Sequence, residues 1–547
     1  DENGNLFEEI PQNAMDLIGQ NLRYFVHIKE VKDLPENFCR GLQVEYTSFN
    51  DNYATYGGGA IHSLSDIVIL DDFTNSMINS DSNFNGFVET NYLNSFLDLG
   101  NYTMVVANTS NYDGNLPSHF SLVENGWDTF VKNQGMLPTC WSYANIATIE
   151  TALLKATGVS YDLSEGNFKN IIAKYSDYGV NRKPNSGSSS AVYAFGYFSG
   201  GFGPVLETED PTSVSGFSPI LRNSFLIDNF GIAAKPKFLD NNEVEIREIK
   251  EAVIKYGAVR VGITFKSDNN TTDGIHFYNP NSGANHAVAI VGWDDTIPAE
   301  YFPNNCPGDG AWIVKNSWGT NSGINGYRYV SYYDKSIARG SNYYIVFNNT
   351  IRYNRIYQYD YFKVDYCSTN SAKSWYKNIY TSVSNENLCA FSTYFDDSIG
   401  WESSVYVNGE LKHTQNGKSP GKGYYTFNFD KTIPVFKGDE ITIVLKVNSE
   451  KIPYTDKTKV NTLPCGEGVS FSSVDGKKWT DMDKKVACLK LFTQFRYGSS
   501  ISIQPVGDAF YGDSVLVNFD VENITTINYI LKNSNGDTIS TGNNVTS

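Results

Sequence analysis

The sequence predicts a multidomain chain in which an α+β unit is followed by all-β units. Its 547 residues suggest three to four domains at about 150 residues each. Helical periodicity is concentrated within residues 139–257, whereas short alternating strand patterns fill most of the remainder. Hydrophobic residues make up 40% of the chain and aromatic residues 14%, and this composition excludes collagen-like, low-complexity and disordered proteins.

The net charge and the Asn-X-Ser/Thr sequons indicate which partners and which location to expect for the protein. The formal net charge of −17 argues against a nucleic-acid partner, and no run approaches the roughly 20 apolar residues that span a bilayer. Asn-X-Ser/Thr sequons recur at Asn101, Asn108, Asn348, Asn523 and Asn544. We therefore expect a secreted or cell-surface protein. Its first residue is not Met, and its last residues follow a strand-like pattern, so we expect a processed or trimmed piece of a longer protein.

Residues 1–112 are predicted as an N-terminal β-rich region or pro-segment. Residues 11–26 carry a short helical pattern. At 43–73 a strand, a glycine-rich turn and a second strand resemble one coil of a β-helix, but an irregular β-rich region is the favoured interpretation.

Residues 113–350 are predicted as the α+β unit. One helix is predicted between Cys140 and Gly158, and residues 243–257 repeat the helical pattern. Apolar strand patterns follow, so a helical half should pack beside a sheet half.

Residues 351–497 are predicted as a β-sandwich, with a hairpin turn at Asn408-Gly409. Residues 498–547 begin another set of strands and are predicted as a partial immunoglobulin-like β module.

Cys140 is the candidate nucleophile. It lies at the start of a predicted helix, where free N–H groups and the helix dipole favour thiolate over thiol. The side-chain amide of Gln134 and the backbone N–H of Cys140 are candidate donors to an oxyanion beside the sulfur. A buried structural cysteine, the alternative, would need neither feature.

His286 and Asn316 supply the other parts of a nucleophilic site. A histidine close to a thiol takes its proton, and the resulting ion pair attacks at neutral pH. Asn316 can orient the imidazole by accepting its other N–H, and Trp318 can shield that bond from water. Cysteine, histidine and asparagine together make a nucleophilic triad.

Across 113–350 these residues occur in a series of motifs that resembles the papain-like cysteine peptidases. The motifs, in chain order, are LPSHFSLVENGWDTFVKNQG, CWSYA, LSEGNF, GG followed by GPVLETEDP, NHAVAIVGW and KNSWG. The resemblance implies that Cys140 is the nucleophile and His286 the general acid/base. It implies Asn316 as the orienter of His286 and Gln134 as the oxyanion donor.

The resemblance also implies residues that bind substrate. Gly200 and Gly201 are expected to pair with the substrate backbone. The pocket for the side chain two residues before the scissile bond is expected to include Phe202, Ala284 and Ala287, and Trp318 completes the substrate-binding set.

Three departures from the family pattern are visible. The segment 137–141 lacks the first cysteine of the family signature and therefore its disulfide. An insertion at 294–310 separates the histidine and asparagine strands and is expected to reshape one side of the cleft. Asn285 stands where many relatives carry aspartate, so we expect a shifted pH profile.

Residues 351–497 resemble the lectin-like β-sandwich that follows the peptidase in some bacterial and archaeal surface proteins. The resembling pieces are IYQYDYF, GYYTFNF, KGDEITIVLKV and SFSSVDGKKWTD. Its four cysteines, Cys367, Cys389, Cys465 and Cys488, allow three pairings, and the sequence selects none. The pairing of Cys39 and Cys306 is equally open.

The sandwich also carries candidate ligand residues. Trp375, Trp401 and Trp479 are candidates for stacking on sugar, although a structural role in the sandwich or at its rim is the favoured interpretation. Asp360 and Asp439 are candidate ligands of a structural calcium ion, although solvated loop charges are the favoured interpretation. No other cofactor is expected.

The predicted function is a secreted or wall-associated cysteine endopeptidase that hydrolyses peptide bonds through an acyl-enzyme. Its expected partners are a protein or peptide substrate, including surface and wall proteins, and a glycan held by the sandwich. Residues 1–112 are a candidate blocking pro-segment. Two alternatives remain open: a surface adhesin with a peptidase-like fold, and an amidase or acyl transferase acting on cell-wall peptide crosslinks.

Overall fold

The structure is a computed structural model. It describes residues 95–99, 102–107, 112–173, 179–180, 183–187, 192–212, 218, 221, 223–239, 243–347, 352–361, 364–456 and 468–496. It also gives the backbone of strands at 42–44 and 67–69 and of four strands between 500 and 545. The helical pattern predicted at 11–26 lies outside the described residues.

Three short strands precede the α+β unit: β1 Leu42–Val44, β2 Ile67–Ile69 and β3 Phe96–Asp98. β1 and β2 pair in parallel, which is compatible with the β-helix coil considered for this region. The rest of that coil lies outside the described residues.

The helical half contains α1 Cys140–Thr157, α2 Glu165–Ile171, α3 Val192–Ser199 and α4 Arg247–Tyr256. α1 confirms the helix predicted between Cys140 and Gly158. It ends at Gly158 because this residue has a left-handed φ of 74° and its N–H donates to the Leu154 carbonyl. α4 confirms the second predicted helix over a shorter range.

The sheet half is built from β4 His119–Ser121, β5 Phe230–Ala233, β6 Lys237–Phe238, β7 Val244–Glu245, β8 Val259–Ile263, β9 His276–Phe277, β10 His286–Asp294, β11 Ala311–Lys315, β12 Tyr327–Ser331 and β13 Asn342–Ile345. β10 is central because it pairs antiparallel with β11 along one side and with β8 and then β4 along the other. α1 packs across it, with Trp141 and Ala144 in one buried cluster with Ala287.

The β-sandwich is built from β14 Arg355–Tyr357, β15 Asp365–Ser368, β16 Ser374–Thr381, β17 Glu386–Phe395, β18 Gly400–Val407, β19 Glu410–Lys418, β20 Gly423–Val435, β21 Glu440–Val447, β22 Lys451–Asp456, β23 Ser470–Ser473, β24 Thr480–Asp481, β25 Lys485–Ala487 and β26 Leu489–Phe495. One sheet has the order β19-β18-β21-β16-β23-β24, and β14, β26, β17 and β20 are neighbours in the facing sheet. The predicted hairpin turn is confirmed, since Asn408 and Gly409 join β18 to β19 with φ values of 50° and 80°.

The last segment contains two antiparallel strand pairs. They are β27 Ser500–Ile503 with β28 Phe519–Glu522, and β29 Thr526–Lys532 with β30 Thr538–Val545. The β character agrees with the prediction, and the immunoglobulin-like topology stays a prediction.

The sandwich and the peptidase-like unit share one sheet and one core. β20 pairs with β5 through Gly423–Gly231 and Tyr424–Phe230. The Phe230 ring stacks on Tyr424 at 5.4 Å between ring centroids and meets Phe195 of α3 at 4.6 Å. Phe230 is fully buried, and side chains of both units contact its ring.

The N-terminal region also joins this assembly. β3 pairs antiparallel with β14, and the Arg355 guanidinium binds Asp98 across that pair. Tyr102 is buried and accepts the N–H of Tyr353 at its hydroxyl. Residues 95–107 are therefore part of the folded core as far as they are described.

Phe230→Ala should destabilise both units together. Removing a fully buried phenylalanine costs about 3–5 kcal/mol, whereas Phe436→Ala at an exposed site should change the unfolding free energy by about 0.5 kcal/mol or less. Calorimetry combined with limited proteolysis of each unit should show one transition moved to lower temperature. A sandwich transition that stays at the wild-type temperature would contradict the shared core.

Candidate active site

Cys140 is the first residue of α1, and it is half-buried. Burial raises the pKa of its thiol above the usual value, and the backbone N–H groups of Ala287, Trp141 and Cys140 itself and the charge of Arg260 offset part of this rise. Donors aimed at the sulfur favour the thiolate because they replace the hydration that burial removes.

His286 and Asn316 are joined by a hydrogen bond of 2.8 Å between His286 Nε2 and Asn316 Oδ1. Asn316 Oδ1 also accepts the N–H of Ser317 at 2.8 Å, which identifies this atom as the oxygen. The proton of the neutral ring therefore lies on Nε2. Nδ1 is left as the nitrogen that can accept a proton from a thiol.

An aromatic group covers the imidazole. Trp318 lies 4.8 Å from the His286 ring between centroids, and Phe265 meets Trp318 edge to face at 4.9 Å. Burial lowers the pKa of His286 to about 4; the bond to Asn316 opposes this, and the charges of Arg328 and Arg260 reinforce it. The imidazolium is therefore favourable only when a negative charge forms beside it.

The side chain of Gln134 is held at both ends. Its Oε1 accepts the Ser317 hydroxyl at 2.6 Å, and its Nε2 donates to the Leu137 carbonyl at 2.8 Å. The backbone N–H of Gln134 also donates to the Ser317 carbonyl. One hydrogen of the amide remains for an oxyanion, in an orientation fixed by the segment that carries Asn316.

The hydrogen bonds of the Asn285 side chain explain why an amide stands at this position instead of a carboxylate. Its Oδ1 accepts the N–H of Phe265 at 2.7 Å, and its Nδ2 donates to the Phe265 carbonyl at 3.0 Å. A carboxylate could accept the first bond but could not donate the second.

Gly200, Gly201 and Phe202 correct the expectation from sequence. The N–H groups of both glycines are bonded within α3, and the Gly200 carbonyl accepts Gln358 Nε2 at 2.9 Å. A Cβ on Gly201 would lie 2.9 Å from the Leu99 side chain, and Phe202 is 1% exposed in the core. A buried glycine pair with bonded N–H groups offers no free donor to a substrate backbone.

The segment next to the nucleophile contains Ser186 and Gly187. The indole N–H of Trp141 donates to the Ser186 carbonyl at 3.1 Å, and a Cβ on Gly187 would lie 3.3 Å from Pro138. This segment precedes α3, whereas the glycine pair follows it.

Ala284 and Ala287 lie beside Gly262, a residue outside the predicted substrate-binding set. Ala287 is opposite Gly262 in the pairing of β10 with β8, and a Cβ on Gly262 would contact Ala284 at 3.5 Å. Ala284 is exposed, and Ala338 donates its N–H to the Gly262 carbonyl. Only small side chains therefore border this position.

The candidate calcium ligands of the sandwich are bonded to protein groups. Asp360 pairs with Lys490 at 3.0 Å, and Asp439 accepts the N–H of Phe436 and an amide N–H of Asn408. No group of three or more potential metal ligands occurs within the described ranges. Five cysteines of that part of the chain are free thiols, namely Cys140, Cys306, Cys367, Cys389 and Cys488.

In a Cys140→Ala chain, His286 should titrate near pH 4. Its folded pKa lies below the usual value of about 6.5, so the stability contributed by the neutral ring is complete above pH 6.5 and is lost as the pH falls towards 4. NMR titration of the imidazole signals, assigned with His286→Gln, measures this directly. Titration of His286 near pH 6.5 would contradict the buried, neutral ring.

Comparison with known proteins agrees with this geometry. Residues 116–347 match the papain family cysteine protease model, and residues 356–493 match the lectin-like domain model. "Cysteine proteinase 2" of Zea mays is 30% identical over 227 residues, which cover 39% of this chain and 54% of that protein. The chain thus spans about half the length of the maize relative.

Further relatives extend the match. "Peptidase 1" of Dermatophagoides pteronyssinus is 26% identical over 311 residues, which cover 54% of this chain and 86% of that protein. The clostridial cysteine protease Cwp84, solved after propeptide cleavage, is 26% identical with a TM-score of 0.58 and covers 69% of this chain and 100% of its own.

A second structure, of the protease and lectin-like domains of Cwp84 from Clostridium difficile, has the same fold. It is 24% identical, with a TM-score of 0.59, and covers 72% of this chain and 91% of its own. The predicted peptidase and lectin-like resemblances are both confirmed: this chain carries a papain family cysteine protease domain followed by a lectin-like domain.

Proposed function

We propose that the chain is a cell-surface cysteine endopeptidase that uses Cys140, His286 and Asn316 with Gln134 as oxyanion donor. The observation that carries this proposal is the bond between Asn316 Oδ1 and His286 Nε2, which leaves Nδ1 as the proton acceptor. It is combined with a cysteine at the start of α1, whose sulfur lies at the N–H of Ala287.

In the proposed reaction, the thiol proton passes to Nδ1 of His286, and the sulfur attacks a peptide carbonyl. The carbonyl oxygen becomes an oxyanion that accepts bonds from the Cys140 N–H and from Gln134 Nε2. The imidazolium then gives its proton to the leaving amine. Water, activated by the neutral imidazole, hydrolyses the acyl-enzyme and restores the thiol.

The substrate is proposed to place a large apolar side chain against Gly262, Ala284 and Ala287. None of these residues carries a charge, and each side chain is small or absent. Peptides that differ only at the residue two before the scissile bond test this preference. Faster hydrolysis with glutamate or lysine than with leucine or phenylalanine at that residue would contradict it.

A cell-surface location is supported by the structure of Cwp84, which is described as a surface-layer associated protein. Among the described residues, no helix is both long and apolar enough to cross a bilayer. Recovery of the chain in a surface extract of intact producing cells would support this location, and its retention in the cytosolic fraction would oppose it.

A blocking role is proposed for the residues that precede 95. Residues 95–107 contact the core through β3 and Tyr102, so removing them should disturb folding rather than open the cleft. A chain that starts at residue 95 should therefore be more active than the full chain, and a chain that starts at 113 should be less stable. Full activity of the untrimmed chain would refute the blocking role.

Covalent labelling with an epoxide thiol inhibitor should modify Cys140 alone in the trimmed chain. Intact mass and peptide mapping should show one adduct, which is absent in Cys140→Ala.

Gln134→Ala should keep the thiol reactive but lower kcat/KM for a peptide substrate about 100- to 1000-fold, because an oxyanion donor is lost.

The same assay separates the alternatives. Hydrolysis that survives in Cys140→Ala would refute the proposed nucleophile. Incorporation of an added amine in preference to water would indicate an acyl transferase. A folded chain without labelling in either form would favour an adhesin.

We also propose that the lectin-like domain binds a glycan on the outer face of the β18, β21 and β16 strands. A groove of about 370 Å³ lies there, and its lining includes Trp375, Lys377, Glu402, Tyr406, Lys446 and Trp479. Aromatic rings suit the apolar faces of sugars, and charged side chains suit their hydroxyl and carboxyl groups. Trp401, the third candidate, is 5% exposed and packs on Phe391 in the core.

Trp479→Ala should weaken this binding about tenfold through loss of stacking. Affinity electrophoresis through gels that contain solubilised wall polysaccharide measures the effect, and exposed Phe436→Ala provides a matched control. Equal retardation of both variants and the wild type would place binding elsewhere, and an absence of retardation in the wild type would refute the proposal for this polysaccharide.

A further inference from the structure

Arg260 is a buried cation without a carboxylate partner in the described part of the chain. It is the second residue of β8 and is 5% exposed, and its Nε has no hydrogen-bond partner among the described residues. Lys315 and Lys490 are buried to a similar degree, but they pair with Asp128 at 2.9 Å and Asp360 at 3.0 Å. A buried guanidinium without such a partner is costly, so a negative charge is expected nearby.

The strand register shows which side of the sheet Arg260 faces. Arg260 is opposite Ala289, and Gly262 is opposite Ala287, in the pairing of β8 with β10. Because side chains alternate along a strand, Arg260 shares a face with Gly262 and Ala287. This is the face that α1 covers, since Ala287 packs in one cluster with Trp141 of α1.

Tyr343 bounds the same space on the other side. It is the register partner of Arg260 in β13, and its hydroxyl donates to Asn145 Oδ1 of α1 at 2.5 Å. Tyr343 is fully buried, and burial raises its pKa far above the usual value, so the phenol stays neutral. It therefore supplies no negative charge to Arg260.

Cys140, at the start of α1, has its sulfur at the backbone N–H of Ala287, and its charge acts on Arg260. We infer that Arg260 is a positioning residue whose charge stabilises the Cys140 thiolate from beneath α1, as a second cation besides the His286 imidazolium. The inference rests on the proposed role of Cys140 as nucleophile. On this inference the negative charge that balances Arg260 is the Cys140 thiolate, which exists only when the nucleophile is ionised.

The charge of Arg260 changes the pKa of two groups in the candidate active site. The charge of Arg260 lowers the pKa of Cys140, and it also lowers the pKa of His286. Arg328, which lies 5.0 Å from the Phe265 ring, acts on His286 in the same direction. Removing the charge of Arg260 should therefore raise the pH at which the thiolate forms.

The test uses thiolate absorbance at 240 nm as a function of pH in the full chain, with Cys140→Ser as the blank. Arg260→Met removes the charge and keeps the length, and it should raise the midpoint of thiolate formation by about one pH unit. Below that midpoint, alkylation of Cys140 by iodoacetamide should slow about tenfold. Arg260→Lys retains a charge and should shift the midpoint less.

One outcome would overturn the inference alone, and another would overturn it together with the proposed function. Equal midpoints for Arg260→Met and the wild type, with only the melting temperature lowered, would make Arg260 structural. If Arg260→Met does not fold, the midpoint of thiolate formation is measured instead in Arg260→Gln, whose side chain is polar and neutral. A wild-type Cys140 that titrates like an ordinary thiol would instead refute both the nucleophile and the inference.

Discussion

The packing of α1 across β10 and β13 is the contact on which the rest of the structure depends. α1 presents Cys140 at its first residue, and β10 presents His286 at its first residue. The two groups can react only while the helix keeps its position along the sheet. The buried bond from the Tyr343 hydroxyl to Asn145 Oδ1 resists sliding of the helix, and the contact of the sulfur with the Ala287 N–H reports the same alignment.

The sandwich is coupled to this contact, which the domain boundary predicted at residue 350 did not suggest. Tyr343 packs against Phe230, and Phe230 in turn meets Tyr394 and Tyr424 of the sandwich. One hydrophobic cluster thus reaches from the nucleophile helix into the lectin-like domain. Sequence patterns predicted the strands on both sides of the boundary but not their pairing, because β5 and β20 are distant in sequence and strand registry between distant segments leaves no local signal.

The parts of the site that could be predicted rest on local patterns or on motif order. The helix at Cys140 was predicted from its periodicity and its terminal glycine. The substrate-binding glycines were not, because short glycine segments at 186–187 and 200–201 flank α3, and only the folded chain shows which end of α3 faces the nucleophile. Arg260 and Gly262 were overlooked because β8 reads as a buried apolar strand. An arginine between valines in such a strand was the signal available.

The charges around the site explain how its ion pair is balanced. Arg260 and Arg328 both disfavour a protonated His286, whereas Arg260 favours an ionised Cys140. The bond to Asn316 is the interaction that favours the imidazolium, and it comes from a neutral amide. A carboxylate at that position would hold the ring protonated even without the thiolate. The neutral amide makes the imidazolium depend on the thiolate instead, so the two charges form together when a proton crosses from sulfur to nitrogen.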